Sequence, residues 1–289
     1  MASAGRCATR RRSGSGRAAG LRSRAMPTVD RAGRTIHFTR EGDGPGVVLV
    51  PGLGSGARLF GTLPRRFARA GFTCAAVDPV GLPPSAPLPD GVFDFVAAAH
   101  DVLAVAATLP GPVALVGTSL GGKVALAAAA EGSPHCRKLV MLCSSALQSP
   151  RGVRVYRFFE LLCTEVDGRW LGDLTAPFLF GETFLRQRPG VVDDIVRSTK
   201  PSPASRAFMH AQAQALQAFD GEPLCAKVAV PTLCLAGAED TLTLPGEVAA
   251  TAARIPGAQH ACLPQAGHSL LLESAAAFEQ VVDFLRAPA

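Results

Sequence analysis

The sequence lacks long hydrophobic runs and paired cysteine motifs, and it has no acidic residue near its beginning. No stretch of about eighteen uninterrupted apolar residues occurs, which argues against a membrane span. The eight cysteines form no C-x-x-C pair and no spacing typical of a metal site. We therefore expect buried, reduced thiols, no metal and a cytoplasmic protein.

Positive charge is concentrated in residues 1–26, which hold seven arginines and no acid. The rest of the chain has 22 basic and 23 acidic residues, so its near-neutral body gives no reason to expect nucleic-acid binding. The Ser-, Gly-, Ala- and Arg-rich segment 1–26 is predicted to be a disordered tail. We favour a translated extension upstream of a start at Met26. The alternatives are an organelle transit peptide and a twin-arginine export signal. The export signal is the least favoured because its apolar region is missing.

After the tail, buried apolar runs alternate with helical patterns. An edge strand is expected at 34–39, buried apolar strands are expected at 47–50, 72–77, 112–116, 139–142 and 230–236, and a last strand is expected at 260–263. Helices are expected at 58–70, 93–109, 123–130, 247–254 and 275–285. This alternation predicts an α/β fold with a mostly parallel sheet covered by helices on both faces.

Residues 146–222 interrupt this rhythm with helical patterns and no strand-like run. We therefore predict a helical lid between two parts of one core, residues 27–145 and 223–289. The lid holds seven of the fifteen phenylalanines and the single tryptophan and tyrosine. Most of these rings are expected to pack within the lid, and some to line an apolar substrate pocket. The pocket candidates are Phe158, Phe159, Trp170, Phe178, Phe180 and Phe184.

Residues 117–121 (Gly-Thr-Ser-Leu-Gly) lie between a predicted buried strand and a predicted helix. This context is typical of a nucleophile elbow, in which a sharp turn lifts a serine hydroxyl above the sheet edge. The flanking glycines are needed because a Cβ at either place would meet the neighbouring strand or helix. Ser119 is therefore the predicted nucleophile.

A serine nucleophile needs a base, and the base needs an acid that orients it. Of the six histidines, only His268 directly follows the predicted last strand, in a loop at the carboxyl edge of the sheet. Asp240 ends the preceding strand and is the predicted acid. Its neighbour Glu239 is the less favoured choice, since it is expected to be the first solvated residue beyond the strand.

A tetrahedral oxyanion requires two amide donors fixed in place before the reaction. The backbone N–H of Leu120, directly after the nucleophile, is one candidate. The other is expected in the glycine-rich turn at 51–54 (Pro-Gly-Leu-Gly), where Leu53 is the favoured donor.

These segments, together with Gly237 to Asp240 and the Gly267-His268 pair, resemble the α/β-hydrolase fold superfamily from near Met26 to the C-terminus. The resemblance implies an eight-stranded sheet, a Ser119–His268–Asp240 triad, and an oxyanion hole formed by Leu53 and Leu120. The size and lid position resemble small-molecule esterases, enol-lactonases and carbon–carbon hydrolases. Residues 78–85 lack the arginine that many relatives carry there, which predicts an apolar, proline-stiffened pocket edge.

The function predicted from the sequence is that of a cofactor-free serine hydrolase. It would cleave an ester, lactone or thioester of a mostly apolar small molecule through an acyl-enzyme. One alternative keeps the triad and catalyses carbon–carbon cleavage, acyl transfer or cyclisation. Another is a non-catalytic ligand receptor on the same fold. The expected partner is a small molecule, with no nucleic acid and no membrane, and the sequence leaves the oligomeric state open.

Overall fold

In the computed structural model, residues 1–2 and 26–288 are described. The basic tail predicted for residues 1–26 therefore lies almost wholly outside the described residues. Eight strands of the described chain form one sheet. They are β1 (Thr28–Arg31), β2 (Arg34–Glu41), β3 (Gly46–Val50), β4 (Thr73–Asp78), β5 (Val113–Thr118), β6 (Cys136–Leu142), β7 (Thr232–Gly237) and β8 (Gln259–Leu263).

The spatial order of the strands is β1-β2-β4-β3-β5-β6-β7-β8. Strands β1, β2 and β4 pair antiparallel, and every pair from β4 to β8 is parallel. Parallel pairing brings the carboxyl ends of six strands to one edge of the sheet. The predicted mostly parallel, eight-stranded sheet is confirmed.

Twelve helices surround the sheet in the described part of the chain. They are α1 (Leu63–Arg69), α2 (Phe95–Ala107), α3 (Leu120–Ala130), α4 (Pro150–Glu165), α5 (Leu171–Leu179), α6 (Glu182–Gln187), α7 (Pro189–Ser198), α8 (Pro203–Ala218), α9 (Glu222–Cys225), α10 (Pro245–Ala252), α11 (Leu270–Glu273) and α12 (Ala275–Arg286). No helix among the described residues combines the length and apolar character that crossing a membrane requires.

The core has two layers, one on each face of the sheet. Because successive strand side chains point to opposite faces, Val48 packs with α2 and α3 on one side, whereas Val47 and Leu49 pack with α1 and α12 on the other. Strands β3, β4 and β7 are buried along their whole length. Burial on both faces explains why these strands are continuous apolar runs rather than alternating ones.

Helices α4 to α9 form the insertion between β6 and β7. Prolines begin α4, α7 and α8, where the missing N–H costs no hydrogen bond. The two long helices α4 and α8 pack against each other around Phe159, Leu162 and Ala213. Phe208 of α8 joins the core beside Phe93. The insertion therefore lies over the carboxyl edge of the sheet.

One predicted helix is wrong in extent. The segment expected as a single helix from Arg58 to Ala70 is a short 3-10 turn (Ala57–Phe60) followed by α1. Gly61 separates the two with a φ of 49°, a left-handed conformation that a continuous helix does not accept.

Candidate active site

Ser119 lies on a strained turn between β5 and α3. Its φ of 54° and ψ of −121° are unusual for any residue with a side chain. A Cβ at Gly117 would lie 2.2 Å from the Gly121 oxygen, and one at Gly121 would lie 2.1 Å from the Val50 oxygen. The backbone passes so closely here that only glycine fits at both places. The local structure is that of a nucleophile elbow.

The end of β6 anchors the elbow from behind. The Ser119 N–H donates to the carbonyl oxygen of Leu142 at 2.9 Å, and the Ser144 hydroxyl donates to the carbonyl oxygen of Ser119 at 2.7 Å. These bonds fix the backbone of Ser119, whose side chain stays half-buried. Within residues 26–288 the Ser119 hydroxyl makes no hydrogen bond of its own.

His268 and Asp240 form a buried pair at the same edge of the sheet. Nδ1 of His268 lies 2.8 Å from Oδ2 of Asp240, and the two residues are 5% and 3% exposed. The other carboxylate oxygen, Oδ1, accepts the N–H groups of Leu242 and Thr243 at 2.8 and 2.9 Å. With Nδ1 held by Asp240, Nε2 is the ring nitrogen left to exchange a proton.

Asp240 was preferred over Glu239 because Glu239 was expected to be solvated, and this expected reason is wrong. Glu239 is not the solvated neighbour. It is half-buried and accepts the N–H and the hydroxyl of Thr183 in the insertion, at 2.8 and 2.6 Å. Glu239 therefore ties the insertion to the body, while Asp240 faces His268.

Cys143 links the elbow to the His268–Asp240 pair. It follows Leu142, the acceptor of the Ser119 N–H, and its Sγ lies within 4.8 Å of the nearest side-chain ligand atoms of both His268 and Asp240. No hydrogen bond in the described chain joins Ser119 to His268. Such bonds are often long in unliganded enzymes and tighten when substrate binds. The structure thus brings His268 and Asp240 together. Ser119 lies on the turn that is bound to Leu142, the residue before Cys143.

The side chains of Cys143, Asp240 and His268 lie close enough together to be tested as a metal site. Burial raises the pKa of the Cys143 thiol well above its usual range, and the Asp240 charge raises it further. A protonated thiol is a poor metal ligand. The other two side chains already bond each other, so the cluster fits a hydrogen-bonded pair better than a cation site.

The two amides predicted to stabilise an oxyanion belong to segments that meet at Ser119. Leu120 is the first residue of α3, and Leu53 lies in a turn closed by a hydrogen bond from Ser55 to Gly52 at 3.2 Å. Neither leucine amide has an acceptor among residues 26–288. A Cβ on Gly52 would lie 3.4 Å from the Ser119 Cβ, so this turn packs directly against the elbow.

Gln212 is a site residue that the sequence reasoning missed. It lies on α8 of the insertion, is only 1% exposed, and its Oε1 accepts the Gly54 N–H at 2.7 Å. It shares a helix face with the buried Phe208 and Leu216, four residues before and after it. A glutamine on an otherwise apolar helix face was the available signal.

A cavity of about 290 Å³ opens beside Leu120 and extends under α8. It is mainly apolar, and Pro79 and Val80, which belong to the predicted apolar pocket edge, line it. Arg34 and Asp101, paired at 3.3 Å, form a charged part of its wall. Gln212 is the contribution of the insertion to this lining.

The six aromatic residues proposed for the pocket do not line this cavity. Phe158 contacts Phe159 and Phe178, with ring centroids 5.5 Å apart in both cases, and Trp170 is exposed. Phe180 stacks on Phe184 at 5.7 Å in a separate cluster of the insertion. Their role in substrate binding stays a prediction.

Glu273 holds the His268 loop in place. Its carboxylate accepts the N–H groups of Gly267 and Ser269, on either side of His268, at 2.7 and 3.0 Å. It also accepts the N–H of Gly181 in the insertion at 2.9 Å. Burial raises the pKa of Glu273, while these amide bonds oppose the rise.

Comparisons with known proteins agree with this geometry. The α/β hydrolase fold family matches residues 45–275. A mouse protein described as serine hydrolase BPHL is 28% identical over 261 residues, covering 87% of this chain and 83% of the relative. The structure of a thermophilic esterase from Thermogutta terrifontis has a TM-score of 0.74 and 26% identity, covering 90% and 95% of the two chains.

The enol-lactonase from Burkholderia xenovorans LB400 has the same fold, with a TM-score of 0.79 and 24% identity over 90% of this chain and all of that one. The family match spans most of the chain, and it includes the elbow, Asp240 and His268. The protein is an enzyme of the α/β-hydrolase type. The resemblance predicted from its sequence is confirmed. The chain belongs to the α/β hydrolase fold family.

Proposed function

We propose that the protein is a serine hydrolase that cleaves an ester, lactone or thioester of a mostly apolar small molecule through an acyl-enzyme. The observation that carries the proposal is the strained Ser119 elbow beside the buried His268–Asp240 pair. A relative named serine hydrolase and a structural relative named esterase support the same chemistry.

In the proposed reaction, the Ser119 hydroxyl attacks the substrate carbonyl while His268 Nε2 takes its proton. The negative charge that develops on the carbonyl oxygen is stabilised by the amides of Leu53 and Leu120. His268 then gives the proton to the leaving group and activates a water that hydrolyses the acyl-enzyme. Asp240 keeps the imidazole in the required tautomer and stabilises its charged form.

The order of the strands supports a placement of the two parts of the substrate on opposite sides of Ser119. The cavity beside Leu120 lies toward β3 and β4, whereas His268 and Asp240 follow β8 and β7. A leaving group must lie near His268 to receive its proton. The acyl part therefore enters the apolar cavity, and the helical insertion, residues 146–222, acts as the lid over it.

The free thiols support a reducing, cytoplasmic setting for this enzyme. All seven cysteines of the described residues are unpaired, and six of them are buried. Unpaired, buried cysteines are typical of proteins kept in reducing compartments.

Substitution of the nucleophile tests the proposal. Ser119→Ala removes the attacking oxygen, so hydrolysis of short p-nitrophenyl esters is expected to fall by about 10⁴-fold or more. Labelling by a fluorophosphonate, which reacts with activated serines, is expected to disappear as well.

Ser133→Ala is the matched control, because Ser133 precedes β6 at the opposite edge of the sheet. It is expected to retain both labelling and turnover. Equal rates for Ser119→Ala and the unsubstituted protein would refute the serine mechanism.

A further inference from the structure

Gln212 carries a hydrogen-bond donor that nothing in the described chain uses. Its Oε1 is bound by the Gly54 N–H, while no group among residues 26–288 accepts a hydrogen bond from its Nε2. The side chain is almost completely buried, and it lines the cavity assigned above to the acyl group. An amide donor in such a place is favourable only when an acceptor reaches it.

The orientation of this carboxamide is fixed by chemistry. A backbone N–H only donates, so the atom facing Gly54 must be the amide oxygen. Met209, one turn earlier on α8, packs against Gly54, since a Cβ on that glycine would lie 2.8 Å from its sulfur. The helix is thereby held against the loop, and Nε2 is the part of the side chain left for a ligand.

The position of Gln212 along the substrate follows from its partner. Gly54 is the residue after Leu53, the proposed oxyanion donor, and consecutive residues are only about 3.8 Å apart. The Gln212 carboxamide oxygen therefore lies at most two hydrogen bonds and one residue spacing, about 10 Å, from the place of the carbonyl oxygen. An acceptor on the first or second carbon beyond the carbonyl lies within this distance.

Resting on the proposed hydrolase function, we propose that Gln212 selects acyl groups that carry an oxygen at position 2 or 3. The Nε2–H donates to that oxygen, and the apolar remainder of the acyl group fills the cavity. An acyl chain without the oxygen displaces water from Nε2 and leaves the donor unpaired. Sites built around such a donor discriminate against analogues that lack the acceptor.

The experiment compares two esters of equal chain length, p-nitrophenyl methoxyacetate and p-nitrophenyl butanoate, which differ by one oxygen in place of a methylene. The ratio of their kcat/KM values is measured at pH 8 for the unsubstituted protein, Gln212→Glu and Gln212→Met. Using this ratio cancels intrinsic reactivity and any change common to both esters. We expect it to fall on the order of tenfold in both variants, the size of one neutral hydrogen bond.

The two variants separate recognition from loop support. An ionised glutamate still accepts the Gly54 N–H but has no proton to donate, whereas methionine loses both interactions. A lower ratio in Gln212→Met alone would trace the effect to the loop and overturn the inference, as would an unchanged ratio in both. Fluorophosphonate labelling of each variant reports that the elbow is intact.

The same measurements distinguish a failure of the serine-hydrolase proposal from a failure of the proposed role of Gln212. If the unsubstituted protein hydrolysed neither ester faster than Ser119→Ala, the serine-hydrolase proposal and this inference would both fall. If both esters were hydrolysed with a ratio insensitive to residue 212, only the role of Gln212 would fall.

Discussion

Two histidine–aspartate pairs of the described chain are buried and have almost the same local geometry. Nδ1 of His37 lies 2.7 Å from Oδ2 of Asp78, and Nδ1 of His268 lies 2.8 Å from Oδ2 of Asp240. All four side chains are buried. The contact alone therefore does not distinguish a structural pair from a reactive one, and the surroundings must do so.

The His37–Asp78 pair is built into the sheet. Its residues are direct partners across β2 and β4, and Asp78 Oδ1 also accepts the Ala57 N–H at 2.7 Å. Ser85 closes the arrangement, since its hydroxyl accepts the His37 N–H at 2.8 Å and donates to the backbone carbonyl oxygen of Asp78 at 2.6 Å. These bonds join β2 to β4 and fasten the segments after β3 and β4 to the two strands.

The His268–Asp240 pair stands on loops instead. Its residues follow β8 and β7, beside the β6 segment that anchors Ser119. Backbone amides hold Asp240, and Glu273 holds the loop around His268 from outside. Asp78 also ends a parallel strand at this edge, so what distinguishes the His268–Asp240 pair is its place on loops beside Ser119. The proposed reactivity therefore depends on that neighbour rather than on the contact itself.

Substitution of the two histidines is expected to give the largest difference in activity between the two pairs. His268→Ala removes the proposed base, so kcat/KM for p-nitrophenyl esters should fall by about 10⁴-fold or more. His37→Ala should keep kcat/KM within about threefold while lowering the free energy of unfolding by about 2–3 kcal/mol, because a buried carboxylate loses its partner. Steady-state kinetics and urea unfolding measure the two effects.

The outcomes that would break this comparison are specific. Full ester hydrolysis by His268→Ala would remove His268 from the mechanism. A loss in His37→Ala that matches that of His268→Ala, in protein that is still folded, would mean that the pair in the sheet also serves the reaction.

The aspartate substitutions test the tautomer argument with a smaller expected effect. In Asp240→Asn, the new amide donates to His268 Nδ1 and favours the tautomer with its proton on Nε2, which cannot accept the serine proton. A loss of about 10³- to 10⁴-fold in kcat is expected. In Asp78→Asn, either tautomer of His37 satisfies the same contact, so activity should change less than twofold. Comparable losses in the two variants would contradict the distinction.

Lys123 differs from both pairs, since among the described residues no acid accepts a hydrogen bond from its buried ammonium. Its ammonium donates to the Ser145 carbonyl oxygen and lies 5.8 and 5.2 Å from the rings of Tyr156 and Phe219. Burial lowers the pKa of Lys123 to about 8. Between this value and the usual lysine pKa near 10.5, the unfolded chain binds a proton that the folded protein does not.

The free energy of unfolding should therefore rise from pH 8 to pH 10.5, relative to Lys123→Met, by up to about 3 kcal/mol. Below pH 8 both states carry the proton, so the difference between the two proteins should be constant. Urea unfolding at pH 7, 8, 9 and 10 measures this. Parallel profiles throughout would show that burial of Lys123 carries no such penalty.

The alternation of apolar runs was sufficient to predict the layered sheet, because doubly buried strands and amphipathic helices have different periods. Strand β1 was missed since its four residues are at most half-buried. The turn that pairs it with β2 puts Ala32 at a φ of 49°, where an alanine gives no turn signal. Helix α3 begins at Leu120 rather than at Lys123, because packing overrides the weak helix propensity of Gly121 and Gly122.

The candidate residues Ser119, Asp240 and His268 were accessible from the sequence because each follows a strand of the parallel sheet within five residues. Gln212 was not, since its partner Gly54 is 158 residues away and no local pattern records that contact. The placement of the aromatic rings was equally hidden. Phe158 and Phe180 pack with neighbours inside the insertion, an arrangement set by how its helices dock rather than by their spacing.

Glu273 makes the position of the His268 loop depend on the position of the insertion. Its two carboxylate oxygens hold the amides beside His268 and the amide of Gly181, so a displacement of the insertion at Gly181 would also release the loop that carries His268. Two segments 92 residues apart in the sequence are thus coupled through one side chain.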